Sequence, residues 1–235
     1  MAMGKKASRS TSMTSSNLRT SIDSLQYFYR EIQRWARSNL RQFPWRETRD
    51  PYRVFLAECL LKRTTSVAAY RVYIPLLDKY PNIFSLASAQ NIEDDLRPIG
   101  LYRQRGKLIL QAARYVANDL KGSFPRDLRE LTKIPGIGEY GASAIASFAF
   151  QVDVATVDSN VLRILRRFLG ENQLDIKGSS LFLEGFLKNK ASRNFNFAMI
   201  DLGSMVCRPL NPKCDECPLS RLCEYRKVVA RQDEV

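Results

Sequence analysis

Along almost the whole chain, apolar residues recur at spacings of three and four, and a proline or glycine ends nearly every such run. That is the period of an amphipathic helix cut into short pieces. Between Ser21 and Leu40, the residues Ile22, Leu25, Phe28, Tyr29, Ile32 and Trp35 fall on one face. Phe43-Pro44-Trp45 breaks the run, and Asp50-Pro51 opens the next as N-cap and first helical residue, carrying it to about Leu61. The spacing predicts further helices over 65–79, 83–88, 91–96, 103–119, 127–132, 139–150, 157–169, 178–189 and 193–205, with Pro81, Pro98, Gly100, Gly122, Pro125, Pro135, Gly136, Gly138 and Gly170 as punctuation. No run alternates long enough to make a sheet, and no repeat of about 20–50 residues recurs. The expected class is all-α, built from many short helices.

Composition then narrows the function. The 235 residues, 45% of them apolar, suffice for one large or two compact folded units. The chain contains no histidine, so a Ser-His-Asp triad, a Cys-His dyad and a His-ligated zinc site are all excluded. Catalysis falls to carboxylates, Lys, Tyr, Ser, Thr or Cys. Lys and Arg number 37 against 24 Asp and Glu, a formal charge of +13. Such an excess points to a polyanion, nucleic acid foremost, because each cation placed on a phosphate displaces condensed counterions. A soluble protein that merely carries surplus Lys is the alternative. The Ser/Thr-rich start MAMGKKASRSTSMTSSN has no apolar segment of the signal-peptide kind and reads as a flexible tail up to about Asn17. No later stretch approaches the ~20 apolar residues of a membrane span, so an intracellular location is expected.

Five cysteines are present. Cys59 stands alone in an apolar helix and reads as a packed core thiol. Cys207, Cys214, Cys217 and Cys223 lie together near the C-terminus with the spacing C-x6-C-x2-C-x5-C. Disulfides are unusual inside cells, and four clustered thiolates suit a soft metal centre, either zinc or an iron–sulfur cluster. The spacing alone leaves both open. A site closed by four cysteines has no free coordination position, so its default role is to staple a loop-rich tail. The same loop carries Arg208, Lys213, Arg221 and Arg226, which could present cations to a phosphate backbone.

Ile134-Pro135-Gly136-Ile137-Gly138-Glu139-Tyr140 joins a short helix to the small-residue helix Gly141-Ala142-Ser143-Ala144-Ile145-Ala146, which makes a helix-hairpin-helix. Gly136 and Gly138 would let backbone N–H groups at the second helix's start approach a phosphate closely, without reading sequence. An ordinary αα-turn is the plainer reading. Twenty residues beyond Gly138, Asp158 opens a helix in Val157-Asp158-Ser159-Asn160. A carboxylate there is often only an N-cap. Beside a phosphate-gripping hairpin, however, it would repel DNA, and it is more plausibly kept for chemistry at a cationic centre.

The hairpin, Asp158 and the C-x6-C-x2-C-x5-C tail, in this order, resemble the helix-hairpin-helix base-excision DNA glycosylases, the superfamily of endonuclease III, the adenine glycosylases and the thymine–DNA mismatch glycosylases. The resemblance spans roughly residues 22–226. It implies a [4Fe–4S] cluster on Cys207, Cys214, Cys217 and Cys223, and Asp158 as the catalytic carboxylate. It implies a monomer that binds double-stranded DNA across a cleft between two lobes. One lobe is a six-helix barrel carrying the helix-hairpin-helix, residues 49–159. The other is a cluster domain built from both chain ends, residues 21–48 and 160–226. Residues 1–20 and 227–235 are left as tails.

Within that superfamily, bifunctional members resembling this chain carry a Lys where Tyr140 stands, so the resemblance implies a monofunctional enzyme that leaves an abasic site. Tyr140, Phe43-Pro44-Trp45-Arg46 and Leu60-Leu61-Lys62-Arg63-Thr64-Thr65 look like the thymine mismatch group. The adenine group would show Ser at the first position and two glutamines where Lys62 and Arg63 stand. The chain also stops just after the cysteines, without the domain by which typical adenine glycosylases recognise 8-oxoguanine. Glu58 fits both groups, as proton donor or base-contacting residue, and read alone it could be a solvated helix residue. Lys62, Arg63 and Leu101 lie in loops resembling the family's wedges, which fill the gap when a base leaves the stack. The expected reaction is hydrolysis of the N-glycosidic bond of thymine or uracil opposite guanine. Adenine release opposite guanine or 8-oxoguanine is the alternative. A non-catalytic iron–sulfur DNA-binding module and a redox sensor stand further off.

Overall fold

The computed structural model describes residues 15–187 and 192–233. Among them there is no strand. The chain runs through α1 (Ser15–Asn39), α2 (Pro44–Glu47), α3 (Pro51–Leu61), α4 (Ser66–Lys79), α5 (Ile83–Ala87), α6 (Glu93–Leu96), α7 (Tyr102–Asn118), α8 (Leu128–Thr132), α9 (Glu139–Phe150), α10 (Ser159–Leu169), α11 (Ile176–Leu187), α12 (Ser192–Met205) and α13 (Glu224–Asp233). Two single 3-10 turns, Cys214–Glu216 and Ser220–Leu222, lie between the last two helices. The all-α expectation holds, and no described helix is long and apolar enough to cross a membrane.

Helix starts follow their capping residues. The Asp50 carboxylate accepts from Tyr52 N–H ahead of Pro51, Thr65 accepts from Ala68 N–H, and Asp127 accepts from Arg129 and Glu130 N–H. Each side-chain oxygen satisfies an N–H that the first helical turn cannot. The tails need correction. α1 begins at Ser15, inside the stretch read as tail, and α13 occupies residues read as a C-terminal tail up to Asp233. Once α1 is anchored by fully buried Phe28 and Ile32, adding turns at its start needs no new nucleus, and Ser and Thr lower propensity only by tenths of a kcal/mol each. Residues 1–14 of the expected tail, 234–235, and 188–189 of the helix expected over 178–189 lie outside the described residues.

The buried side chains form two clusters. The first draws on α2 to α9, from Trp45 and Phe55 through Leu60, Tyr73 and Ile109 to Ile145 and Phe148. The second joins both ends of the described chain: Phe28 and Ile32 of α1 with Ile164 and Leu165 of α10, Leu183 of α11, Phe195 and Leu202 of α12, and Leu219 of the cysteine loop. α12 is the hinge between them, because its Phe197 belongs to the first cluster and stacks on Phe148 at 4.3 Å. A buried carboxylate fastens the same junction. Asp201 of α12 is 0% exposed and takes Arg46 as a two-pronged partner at 2.6 and 2.8 Å. It also accepts from the Arg41 side chain at 2.6 Å and backbone N–H at 2.9 Å.

Candidate active site

The cleft opens where the two cores meet. Glu58 on α3, Lys62 and Arg63 just after it, Gly136 and Gly138 of the hairpin, Tyr140 on α9 and Asp158 before α10 all line it. Residues about a hundred positions apart in sequence are thus brought to one wall. Leu101 is placed differently. It lines an adjoining hollow with Lys62, Arg63, Leu108 and Gly136, on the far side of the 62–63 loop.

Asp158 is both N-cap and cleft residue. One carboxylate oxygen accepts from Asn160 N–H at 2.9 Å and Val161 N–H at 2.8 Å, and the other accepts from the Asn160 side chain at 2.9 Å. Its orientation is therefore fixed by three N–H groups at a helix start, where the backbone dipole favours an anion. Behind it, Arg163 donates to Asn160 Oδ1 at 2.8 Å, to Gly203 O at 2.7 Å and to Cys207 O at 2.9 Å. The close approach of α12 to this turn depends on Gly203, where an added Cβ would sit 2.5 Å from Asn160 Cβ.

Glu58 has the opposite electrostatic setting. Desolvation, reinforced by the negative charge of Asp158 and offset in part by Arg46, pushes its carboxyl up to about 8. Tyr140 is raised well above the ordinary phenol range, by burial first and then by Glu58 and Asp158. At neutral pH the cleft therefore presents a protonated Glu58 carboxyl and a neutral Tyr140 phenol beside Asp158. Cys59, which also lines the cleft, is pushed by burial up to about 12 and is not a thiolate nucleophile.

The hairpin has the geometry the glycines imply. Gly136 has φ +78°, a left-handed conformation that suits glycine. Gly138 is the N-cap of α9 with no side-chain cap, and a Cβ built there meets nothing within 4 Å. The start of α9 thus has open space beside Gly138 and no side-chain cap. Lys62 Nζ reaches across to Gly136 O at 3.2 Å and ties the loop after α3 to the hairpin.

Cys207, Cys214, Cys217 and Cys223 line one cavity together with Arg167, Val206 and Tyr225. Arg167 donates toward Cys207 Sγ at 3.4 Å and lies 4.7 Å over the Tyr225 ring. Each 3-10 turn delivers a cysteine at its end, Cys217 and Cys223. Among the described residues, no three His, Cys, Asp or Glu side chains are grouped closely enough to hold a single metal ion.

Three groups carry roles that no sequence pattern announced. Arg46 sits over the Phe197 ring at 4.6 Å while holding Asp201. Asn160 and Arg163 stand behind Asp158. Arg105 on α7 is buried beneath the segments that carry Lys62 and Gly100. An acid inside the apolar run Phe197-Ala198-Met199-Ile200-Asp201-Leu202 was the one available signal for the buried ion pairs.

The chain is similar to known proteins. Residues 56–180 match the HhH-GPD superfamily base excision DNA repair protein family. A thymine/uracil-DNA glycosylase of Methanothermobacter thermautotrophicus is 34% identical over 79% of this chain and 86% of that protein. An adenine DNA glycosylase of Buchnera aphidicola is 30% identical over 84% of this chain and 58% of that protein. The solved structure of a thermostable thymine-DNA glycosylase superposes with a TM-score of 0.85 at 31% identity, over 89% of this chain and 99% of that one. With the hairpin, the cleft and these matches in agreement, the chain belongs to the HhH-GPD superfamily of base excision DNA repair proteins and is a DNA glycosylase.

Proposed function

We propose that this glycosylase releases thymine or uracil mispaired with guanine and stops at the abasic site. The observation that carries the reading is the convergence of protonated Glu58, Tyr140 and Asp158 on one cleft. The thymine/uracil specificity of the Methanothermobacter relative, together with Tyr140, Lys62 and Arg63, favours a pyrimidine over adenine. The substrate base must leave the stack, at a cost of a few kcal/mol that a mismatch lowers. The hairpin's free N–H groups and Lys62 hold phosphates while Arg63 and Leu101 fill the gap.

Once the base is in the cleft, the C1′–N bond breaks with its electron pair passing to the base. Glu58, as a neutral acid, donates a hydrogen bond to a pyrimidine carbonyl and stabilises the leaving anion. Positive charge grows on the sugar, and Asp158 stabilises it across the cleft floor, an effect commonly worth several kcal/mol in a dry site. Water then adds at C1′ and its proton passes to Asp158. Tyr140, a neutral phenol without an amine, packs against the flipped nucleotide and supplies no Schiff-base nucleophile.

In the second core, Cys207, Cys214, Cys217 and Cys223, which line one cavity, would hold a [4Fe–4S] cluster, for which four thiolates are a fitting donor set. When bound, such a cluster cross-links the loop after α12 and adds its own charge beside Arg167.

The test is a panel of duplexes with T, U or A opposite G or 8-oxoguanine, treated with alkali after reaction, and with borohydride during it. The expected result is cleavage at T and U opposite G, only after alkali, with no trapped adduct. Efficient adenine release with no action on G·T would overturn the substrate assignment. A borohydride adduct would overturn the monofunctional one.

A further inference from the structure

Arg105 is only 7% exposed and, among the described residues, enters no ion pair. A buried charge without a counter-ion is costly unless its donors are all met. Here they are met by neutral groups of two segments. Arg105 donates to Cys59 O at 2.5 Å and Leu60 O at 3.2 Å in the last turn of α3, and to Lys62 O at 2.7 Å and Thr64 Oγ1 at 2.9 Å in the loop that continues from it. In the other segment it donates to Gly100 O at 3.2 and 3.3 Å. Only a planar fork of five N–H donors can span such a set; an ammonium has three donors around one point.

Both loops carry a strained residue next to the clamp. Arg63 has φ 54° and Leu101 has φ 61°, left-handed conformations that non-glycine residues seldom adopt. Leu101 is 52% exposed, Arg63 is exposed, and both rim the hollow floored in part by Arg105. Strained conformations of this kind persist where the surroundings over-determine them. The hydrogen bonds to Lys62 O and Gly100 O are adjacent to the two residues and supply that constraint.

We propose that Arg105 is a positioning residue that locks the 59–64 and 100–101 segments into one rigid double wedge, so that Arg63 and Leu101 enter the duplex at a fixed separation. It acts at base extrusion and touches neither the base nor the sugar. This rests on the reading of Arg63 and Leu101 as the inserted side chains.

The test uses the full-length protein on a G·U duplex with 2-aminopurine beside the uracil, whose fluorescence rises when the neighbouring stack opens. Arg105→Lys and Arg105→Met are compared with the wild type and with an Arg63→Ala, Leu101→Ala double variant, and the extrusion signal is read per bound complex alongside Kd. The expected result is a fall of tenfold or more in extrusion rate for both Arg105 variants, with Kd changed less than threefold and Lys no better than partial rescue. A merely structural role would lower the melting temperature and leave extrusion per bound complex unchanged. Arg105→Lys, which keeps the charge, carries the same test if Arg105→Met does not fold. Wild-type extrusion in the Arg105 variants, while the double variant loses it, would overturn the clamp alone. So would a loss of DNA binding as large as the loss of extrusion. Wild-type extrusion in the double variant would overturn the wedge reading and the clamp with it.

Discussion

Glu58 and Asp158 show how two chemically similar side chains acquire different roles. Asp158 is met by three N–H donors at a helix start, while Glu58 faces protein and the charge of Asp158. The consequence can be measured through stability. With its carboxyl raised from 4.5 to about 8, folded protein keeps a proton that the unfolded chain releases. Glu58's contribution to stability is therefore fully present below pH ~4.5 and is lost as pH rises through ~8, because in that window the folded state binds more protons. Glu58→Gln, which cannot titrate, should flatten the fall in urea midpoint between pH 5 and pH 8. An unchanged slope would place the titration elsewhere. Asp158 was legible in the sequence, since a carboxylate opening a helix is a recognisable cap. The protonation of Glu58 was not, because it depends first on burial in the folded cleft and then on a neighbour a hundred residues away.

At the scale of elements, the helices were readable where a cap or a proline marks the start. Asp50-Pro51, Thr65, Asp127 and Asp158 all stand at the first turn of the helix they announce. Three features left no trace. α2 has only four residues, too few for a period, and the two 3-10 turns are shorter still. α13, Glu-Tyr-Arg-Lys-Val-Val-Ala-Arg-Gln-Asp, has few apolar residues and reads as a polar tail. The approach of α12 to α10 was also invisible, although one glycine permits it. Gly203→Ala would bring a methyl to 2.5 Å from Asn160 Cβ and 3.2 Å from its Cα. We expect ~1–3 kcal/mol of destabilisation from overpacking, with glycosylase activity falling further because the displaced turn holds Asp158. Gly185→Ala on α11 is the control. Nothing lies within 4 Å of its added Cβ, and the exchange should be neutral or add up to about 1 kcal/mol. Equal urea midpoints for the two variants would refute the close-packing argument.

Over the whole molecule, two cores built from different parts of the chain leave a cleft that neither could form alone, and Asp201 with Arg41 and Arg46 holds them together. The formal charge of +13 suits a surface that meets DNA phosphate before any base is recognised. The clustered cysteines pointed to a soft metal but left zinc and iron open, since spacing does not show whether sulfurs converge. Anaerobically purified protein should be brown and hold about four irons per chain; stoichiometric zinc without iron would contradict the cluster. The central claim is that Asp158 stabilises the positive charge that grows on the sugar. Asp158→Asn keeps the side chain's shape and removes its charge, and the measurement is single-turnover base release from a G·U duplex alongside Kd for the same duplex. The account predicts a fall in release of a hundredfold or more, with DNA affinity held or tightened because one repulsion with phosphate is gone. Release at a near wild-type rate from bound duplex would contradict it.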